Sequence, residues 1–192
     1  MMGNASKTID LGCGNAKERG AIGVDFNLST QADVIADLNA YPWPFPSNAF
    51  DRIICRHIVE HVTDLMKFME EVHRIARAGA RVEIVTPHFS NRYSFTDPTH
   101  LRHLAWRSFD YFVERSHQRP NLAQRFWETK HPIPNFYTQA RFRILERRLS
   151  FARPFRWLAI EKVANRFPDF YELYLAFTFP ARDLYFVLEA IK

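Results

Sequence analysis

Three groups of residues in this chain have the types and spacing to do chemistry. The first is Asp10-Leu11-Gly12-Cys13-Gly14. Its two glycines lack a Cβ, so the backbone can turn tightly and a ligand can come close to its N–H groups. The apolar stretch 21–25 follows and closes on Asp25. Ligands of doubly wound sheets sit at the carboxyl ends of the strands, where an acid ending the second strand can hold a ribose diol. Together these residues point to a ligand containing a nucleoside. A dinucleotide fingerprint would carry a third glycine at position 17, where this chain has Lys17; nicotinamide and flavin dinucleotides are therefore disfavoured. With no ligand at all, the same glycines would merely join two buried strands.

The second group is Arg56-His57-Ile58-Val59-Glu60-His61-Val62, and the third is Tyr93-Ser94-Phe95-Thr96-Asp97-Pro98-Thr99-His100. Histidine titrates nearest neutrality and is the natural side chain to move a proton at pH 7. His100 is the candidate base, with Asp97 three residues earlier to orient it; His61 and His88 are the alternatives. The competing structural role is a turn begun by Asp97-Pro98, with His100 packing or capping it. His88, Asp97, His100 and His103 have side chains that metals accept, but their spacing is not that of a tight ligand set, and no metal is expected.

Strands and helices must bring these groups together. Residues 8–11, 21–25, 32–38, 50–55 and 81–86 read as five strands. Between the first two lie only residues 15–20, too short for a full crossover helix, so the ligand site should be open on that side. Pro42, Pro44 and Pro46 around Trp43 and Phe45 exclude a helix or central strand and predict a rigid aromatic loop. Leu65, Phe68, Met69, Val72, Ile75 and Ala76 recur at helical spacing, with Thr63 as N-cap and Gly79 as stop. Residues 88–103 form a long polar loop, a form that tilts toward function. Helical segments are expected over 106–114, 121–130, 155–163 and 169–177, a sixth strand over 142–151 and a last strand over 184–191. Such alternation implies a mostly parallel sheet with helices on its faces, and the last strand can enter antiparallel. Arg141, Arg143 and Arg147 would share one face of the sixth strand, either as an anion-binding patch or as the solvated face of an edge strand. The aromatic run from Phe167 to Phe179 is core, or a cap over the ligand.

Composition sets the frame. The 192 residues suit one domain, 1–192, with a ligand-binding half over 7–87 and a substrate-side half over 88–192. Apolar residues make up 47% and charged residues 24%, as in ordinary globular proteins, while 18 Phe suggest a core or pocket rich in flat apolar surface. A net charge of +5 fits anionic partners, or simply a solvated basic face. Cys13 and Cys55 are the two cysteines, too few for a disulfide framework, and are expected as buried free thiols in a reducing compartment. No apolar run is long enough to span a bilayer, residues 1–7 hold no signal-peptide core, and a cytoplasmic chain is expected.

Asp10 to Gly14, Asp25, Asp37-Leu38, Phe50-Asp51 and His57 to Val62 together resemble a class I S-adenosylmethionine-dependent methyltransferase, a small member of the type-11 kind. The resemblance is strong from the first strand to about Thr86 and only in outline beyond. It implies a Rossmann-like, doubly wound seven-stranded sheet with its last strand antiparallel, and helical insertions after strand 5 and between the last two strands. It implies S-adenosyl-L-methionine as cofactor. Asp10, with Gly12, Cys13 and Gly14, would face the methionine part; Asp25 would bind the ribose; Asp37 with Leu38 would meet the adenine. Arg56 and His57 would lie beside the sulfonium, and His57, Asp97 and His100 would serve the reaction. The short first crossover departs from the commonest members. The expected reaction is methyl transfer to an oxygen or nitrogen of a small molecule: a sugar, an envelope precursor or a specialised metabolite. A homodimer is compatible with this reading. Two other readings stand beside it. A nucleic-acid methyltransferase is disfavoured by Arg56-His57-Ile58-Val59 in place of an Asn/Asp-Pro-Pro-aromatic motif and by the lack of an RNA-binding module. A non-catalytic scaffold of the same fold is disfavoured by the intact Asp10, Gly12, Gly14, Asp25 and Asp37.

Overall fold

Short runs of β-branched and apolar residues bounded by glycine, proline and acids build the sheet. The computed structural model describes residues 6–113 and 136–192. Strands β1 (Thr8–Leu11), β2 (Ile22–Asp25), β3 (Val34–Ile35), β4 (Phe50–Arg56) and β5 (Ala76–Pro87) come first, and β6 (Arg141–Leu149) and β7 (Asp183–Ile191) last. They form one seven-stranded sheet in the order β3-β2-β1-β4-β5-β7-β6. The first five are mutually parallel, whereas β7 runs antiparallel to both β5 and β6. Strand order reverses at β1, and the carboxyl ends of β1, β2 and β4 come together there. The expected architecture is therefore the observed one, including helical insertions after β5 and between β6 and β7.

Helix α1 (Leu65–Ile75) buries Phe68, Met69, Val72 and Ile75 against the sheet. Its N-cap is Asp64, whose carboxylate accepts the Lys67 N–H at 3.0 Å, one residue after the expected Thr63. It stops at Ile75, not at Gly79, because the Arg74 and Ile75 carbonyls accept the N–H groups of Asn48 and Ala49 at 2.9 and 2.8 Å, and the chain passes directly into β5.

Glu71 on this helix organises the proline-rich loop. Its carboxylate accepts the Trp43 N–H at 2.7 Å and both forks of Arg74 at 2.6 and 2.8 Å, while Arg74 also donates to the carbonyls of Trp43 and Phe45. Glu71→Ala would leave a half-buried guanidinium and a buried N–H without their shared acceptor. A loss of about 2–4 kcal/mol in urea unfolding is expected; a loss below about 0.5 kcal/mol would show that the loop is held by its aromatic packing alone.

Four further sequence expectations are corrected. Strand β3 spans only Val34–Ile35 because Asp33, just before it, uses its carboxylate on the Gly23 N–H at 2.8 Å and on Lys17. The helix expected over 106–114 is, as far as Val113, a set of turns with one 3-10 segment, Asp110–Phe112. In the C-terminal insertion the helices are Arg153–Trp157, Ile160–Arg166 and Pro168–Phe170, the last continuing as a π-turn over Tyr171–Leu175; the first break falls at Ala159, which has a left-handed φ of 58°. In β6 a register shift between Ile144 and Glu146 reverses the alternation. Arg143 therefore sits opposite Glu189, while Arg147 sits opposite Phe186, on the other face of the sheet. There Arg147 pairs with Asp110 and lies over Trp106 and Phe186. The helix expected over 121–130 lies outside the described residues.

No helix joins β1 to β2 or β2 to β3. The loop after β1 covers that part of the sheet itself: a Cβ on Gly23 would stand 2.9 Å from the Cys13 sulfur and 2.5 Å from the Lys17 chain. Charged side chains continue the cover across β4 and β5, through Glu18–Arg52 at 3.2 Å, Arg52–Glu83 at 2.9 Å and Arg81–Glu83 at 3.1 Å.

Candidate functional site

The glycine turn ends β1 with Gly12 at φ 69° and Gly14 at φ 50°, both left-handed. A Cβ on Gly12 would stand 2.9 Å from the Ile58 side chain. The amides of the turn are already engaged: Gly12 and Cys13 donate to the Val24 carbonyl at 2.8 and 3.1 Å, and Gly14 donates to Asp25 at 2.9 Å. The turn therefore offers a ligand close approach to the backbone, and its N–H groups hold β2 and Asp25 in place. Asp25, 8% exposed, also accepts the Asn27 N–H at 3.0 Å. Each carboxylate oxygen has a second lone-pair direction left for a hydroxyl donor.

A cavity of about 390 Å³ opens over this turn. Gly12, Asp25, Asp37, buried Leu38, His57, Ile58 and His61 are among its lining residues. Asp10, Cys13, Gly14 and Arg56, expected at the same ligand, are not among its lining residues. Asp10 is fully buried; its Oδ2 accepts Arg56 Nη2 at 2.7 Å and the Glu18 N–H at 2.8 Å. Arg56 also reaches Glu18 at 3.3 Å and the Ala16 carbonyl at 3.1 Å. Both side chains therefore tie the turn to β4 from the face away from the cavity. Cys13 is buried over Gly23, and burial pushes its thiol above the ordinary range.

A second, larger cleft of about 1160 Å³ lies beyond the ends of β4 and β5. His57 and His61 line both spaces. His57 follows β4 with φ 52°, a left-handed conformation uncommon for a residue with a side chain and a mark of functional strain. Its Nδ1 lies 3.4 Å from Glu60 Oε1, and the Glu60 carboxylate holds the imidazolium above the usual histidine range, against burial. Glu60 is 1% exposed and its other oxygen accepts the Thr86 hydroxyl at 3.0 Å. No sequence signal singled out Glu60. The i,i+3 spacing from His57 could have done so had a turn been expected after β4.

On the far wall, Asp97 does not orient His100. The His100 Nε2 to Asp97 Oδ2 distance is 3.9 Å, too long for a hydrogen bond; Asp97 instead accepts the Thr99 N–H and hydroxyl at 2.9 and 2.6 Å. The Asp-Pro turn aims the carboxylate back at its own loop, and His100 is positioned by the Ser94 carbonyl, 3.1 Å from Nδ1. His88 is fully buried between Ser90 at 2.8 Å and Glu172 at 3.0 Å, and His103 bonds Ser94 at 2.8 Å and stacks on Phe95. Neither reaches the cleft. Arg92 and Arg182 give its rim positive charge, and burial pushes the Asp183 carboxyl up.

A glycine turn at a topological switch point, an acid at the tip of β2, a second acid with an apolar neighbour after β3, and a cavity beside a separate cleft are the features with which α/β proteins bind nucleoside ligands. Residues 9–84 match the family described as "Methyltransferase domain". The match covers the N-terminal part of the chain, and the fold is the one expected of class I S-adenosylmethionine-dependent methyltransferases. The chain is 38% identical to ajmaline N-methyltransferase of Rauvolfia serpentina over 48 residues, 25% of this chain and 16% of that protein. It is 27% identical to the uncharacterized methyltransferase YcgJ of Bacillus subtilis over 104 residues, 49% of this chain and 38% of that protein. The matched stretches thus span well under two thirds of either relative. Among solved structures, YcgJ aligns with a TM-score of 0.56 at 15% identity, covering 97% of this chain and 92% of the other. A SAM-dependent methyltransferase from Archaeoglobus fulgidus also aligns at 0.56, with 17% identity and coverage of 97% and 86%.

The cofactor of the matched family, S-adenosylmethionine, is compatible with the lining of this cavity. The lining offers the two carboxylates of Asp25 and Asp37 and the apolar side chains of Ile58, Leu38 and Val62, a mix that suits a nucleoside, and the missing Cβ of Gly12 makes room for the Ile58 side chain.

Proposed function

We propose that this chain moves a methyl group from S-adenosylmethionine to an oxygen or nitrogen of a small molecule held in the cleft. One observation carries the reading: the cofactor cavity and the cleft share His57 and His61 as walls, so a donor in one and an acceptor in the other would face each other across them. When bound, the cofactor supplies a methyl on a positively charged sulfur. The protein's part is alignment and exclusion of water. Asp25 and Asp37 would hold the nucleoside. His57, with Nδ1 turned to Glu60, would use Nε2 to take the proton that an acceptor hydroxyl or ammonium must lose. Arg92 and Arg182 at the rim favour an acceptor carrying an anionic group. A nitrogen acceptor gains support from the partial match to an N-methyltransferase. The fold alone does not specify the reaction, since the [4+2]-cyclase SpnF also aligns, at 15% identity and a TM-score of 0.55.

The test is to incubate the protein and labelled cofactor with metabolite pools and search by mass for a gain of one methylene. Cofactor binding by calorimetry runs alongside: no binding at millimolar cofactor would favour a scaffold. Salt-sensitive binding to mixed RNA would favour a nucleic-acid substrate. His57→Asn keeps a residue that tolerates left-handed φ and removes the imidazole. It is expected to lower turnover by about 10²-fold or more, with cofactor affinity changed by less than about threefold. Undiminished turnover would take His57 out of the reaction.

A further inference from the structure

Glu60, His61 and His100 converge on one point of the cleft wall. Each offers one ligand atom, a carboxylate oxygen or a ring nitrogen, and these atoms lie within 4.8 Å of one another. Ligands sharing an ion at about 2.1 Å stand roughly 3–3.5 Å apart, so small side-chain rotations close the gap. Glu60 and His61 come from the turn after β4, and His100 from the loop after β5. The two rings meet edge to face with centroids 4.6 Å apart.

Hydrogen bonding sets the tautomer of both rings. The Ser94 carbonyl, 3.1 Å from His100 Nδ1, can only accept, so Nδ1 carries the hydrogen and Nε2 a lone pair. Thr99 Oγ1 lies 2.9 Å from His61 Nδ1 and gives its only hydrogen to Asp97 at 2.6 Å, so His61 Nδ1 donates to it and Nε2 again holds a lone pair. An outer bond that fixes one ring nitrogen and frees the other is how proteins prepare a metal-ligating histidine. Glu60 supplies the independent observation. It is 1% exposed, and among the described residues its Oε1 has no hydrogen-bond partner; His57 Nδ1 stands at an ion-pair distance of 3.4 Å. A buried carboxylate oxygen left in this way is costly unless a cation meets it.

We propose that Glu60 Oε1 and the Nε2 atoms of His61 and His100 bind one divalent transition-metal ion, with its remaining coordination positions open to the cleft. Two imidazoles and one carboxylate suit zinc, iron, cobalt or nickel and disfavour magnesium and calcium, which take all-oxygen sites. The site replaces the looser set His88, Asp97, His100 and His103 weighed from the sequence; His88 is buried away from the cleft and His103 is held by Ser94. The inference is independent of the methyl acceptor and of methyl transfer itself.

The full chain, without a histidine tag and stripped with chelator, is titrated with Co²⁺ by calorimetry and visible absorption, and then with Zn²⁺. One equivalent should bind, with a ligand-field spectrum that Zn²⁺ abolishes and excess Mg²⁺ does not. Glu60→Gln and His100→Ala should each weaken Co²⁺ binding by at least tenfold. Retained cofactor affinity shows that a variant is folded. Should a variant not fold, nitrogen NMR of the wild-type imidazoles decides: Zn²⁺ should shift the Nε2 signals of His61 and His100 and leave the buried His88 unmoved. Absence of saturable binding, unchanged affinity in folded His100→Ala, or shifts confined to other histidines would each overturn the proposal. Cofactor binding without metal binding would defeat this site and leave the proposed function standing.

Discussion

Arg56→Ala is expected to destabilise the protein by about 3 kcal/mol, read as a shift of the urea midpoint at unchanged slope. Asp10 lies at the centre of the sheet with a side-chain exposure of 1%, and among the described residues Arg56 is the side-chain cation at bonding distance, 2.7 Å away. Its Oδ1 is already without a hydrogen-bond partner. Removing the guanidinium would leave a buried charge with the Glu18 N–H as sole donor, and removal of one member of such a pair typically costs about 3–5 kcal/mol. The lower end applies because Arg56 is itself 37% exposed. Asp10→Asn in the same chain removes the orphaned charge, so the double variant should be more stable than Arg56→Ala alone. A single-variant loss below about 1 kcal/mol, or a double variant less stable than the single, would contradict this account. The consequence for the site is indirect. Arg56 also holds the Ala16 carbonyl and Glu18, so the variant should loosen the loop behind the glycine turn and weaken cofactor binding several-fold at temperatures where the chain is still folded.

For Asp25→Ala the expected result is a cofactor dissociation constant raised about 10- to 150-fold, equivalent to about 1.5–3 kcal/mol of charge-assisted hydrogen bonding. Asp25 does two things at once: it faces the cavity, and it fixes Gly14 and Asn27 through their N–H groups at 2.9 and 3.0 Å. Asp25→Asn keeps one acceptor oxygen and should fall between the two. S-adenosylhomocysteine separates a ribose contact from an attraction to the sulfonium, because it has the sugar and lacks the charge. Calorimetry should therefore find both ligands weakened alike. Weakening of S-adenosylmethionine alone would reassign Asp25 to the charged sulfur, and unchanged affinity for both would remove it from the site.

Much of the frame was legible in the linear sequence, because strands of four to seven residues ending in glycine or an acid carry their own boundary chemistry. The antiparallel β7 was implied by the family resemblance, whereas the strand order came from the folded chain. Element ends did not follow. Helix α1 stops at Ile75 because of hydrogen bonds from Asn48 and Ala49, more than twenty positions away along the chain, and no local signal carries that. The reversal of Arg147 relative to Arg143 comes from one extra residue in β6, which pairing with β7 imposes.

The division is sharpest at the site. Residue type and spacing alone pointed to Gly12, Asp25 and Asp37 as neighbours at the tips of the first strands, and they line one cavity, because a glycine turn and strand-terminal acids are local devices whose geometry travels with the sequence. Only the folded chain decided that Asp10 and Arg56 brace the turn from behind, that Ser94 and not Asp97 positions His100, and that Glu60 lies beside His57, His61 and His100. Those relations depend on which side of a strand or turn each side chain leaves from, and on which distant loop meets it. Long-range packing sets both.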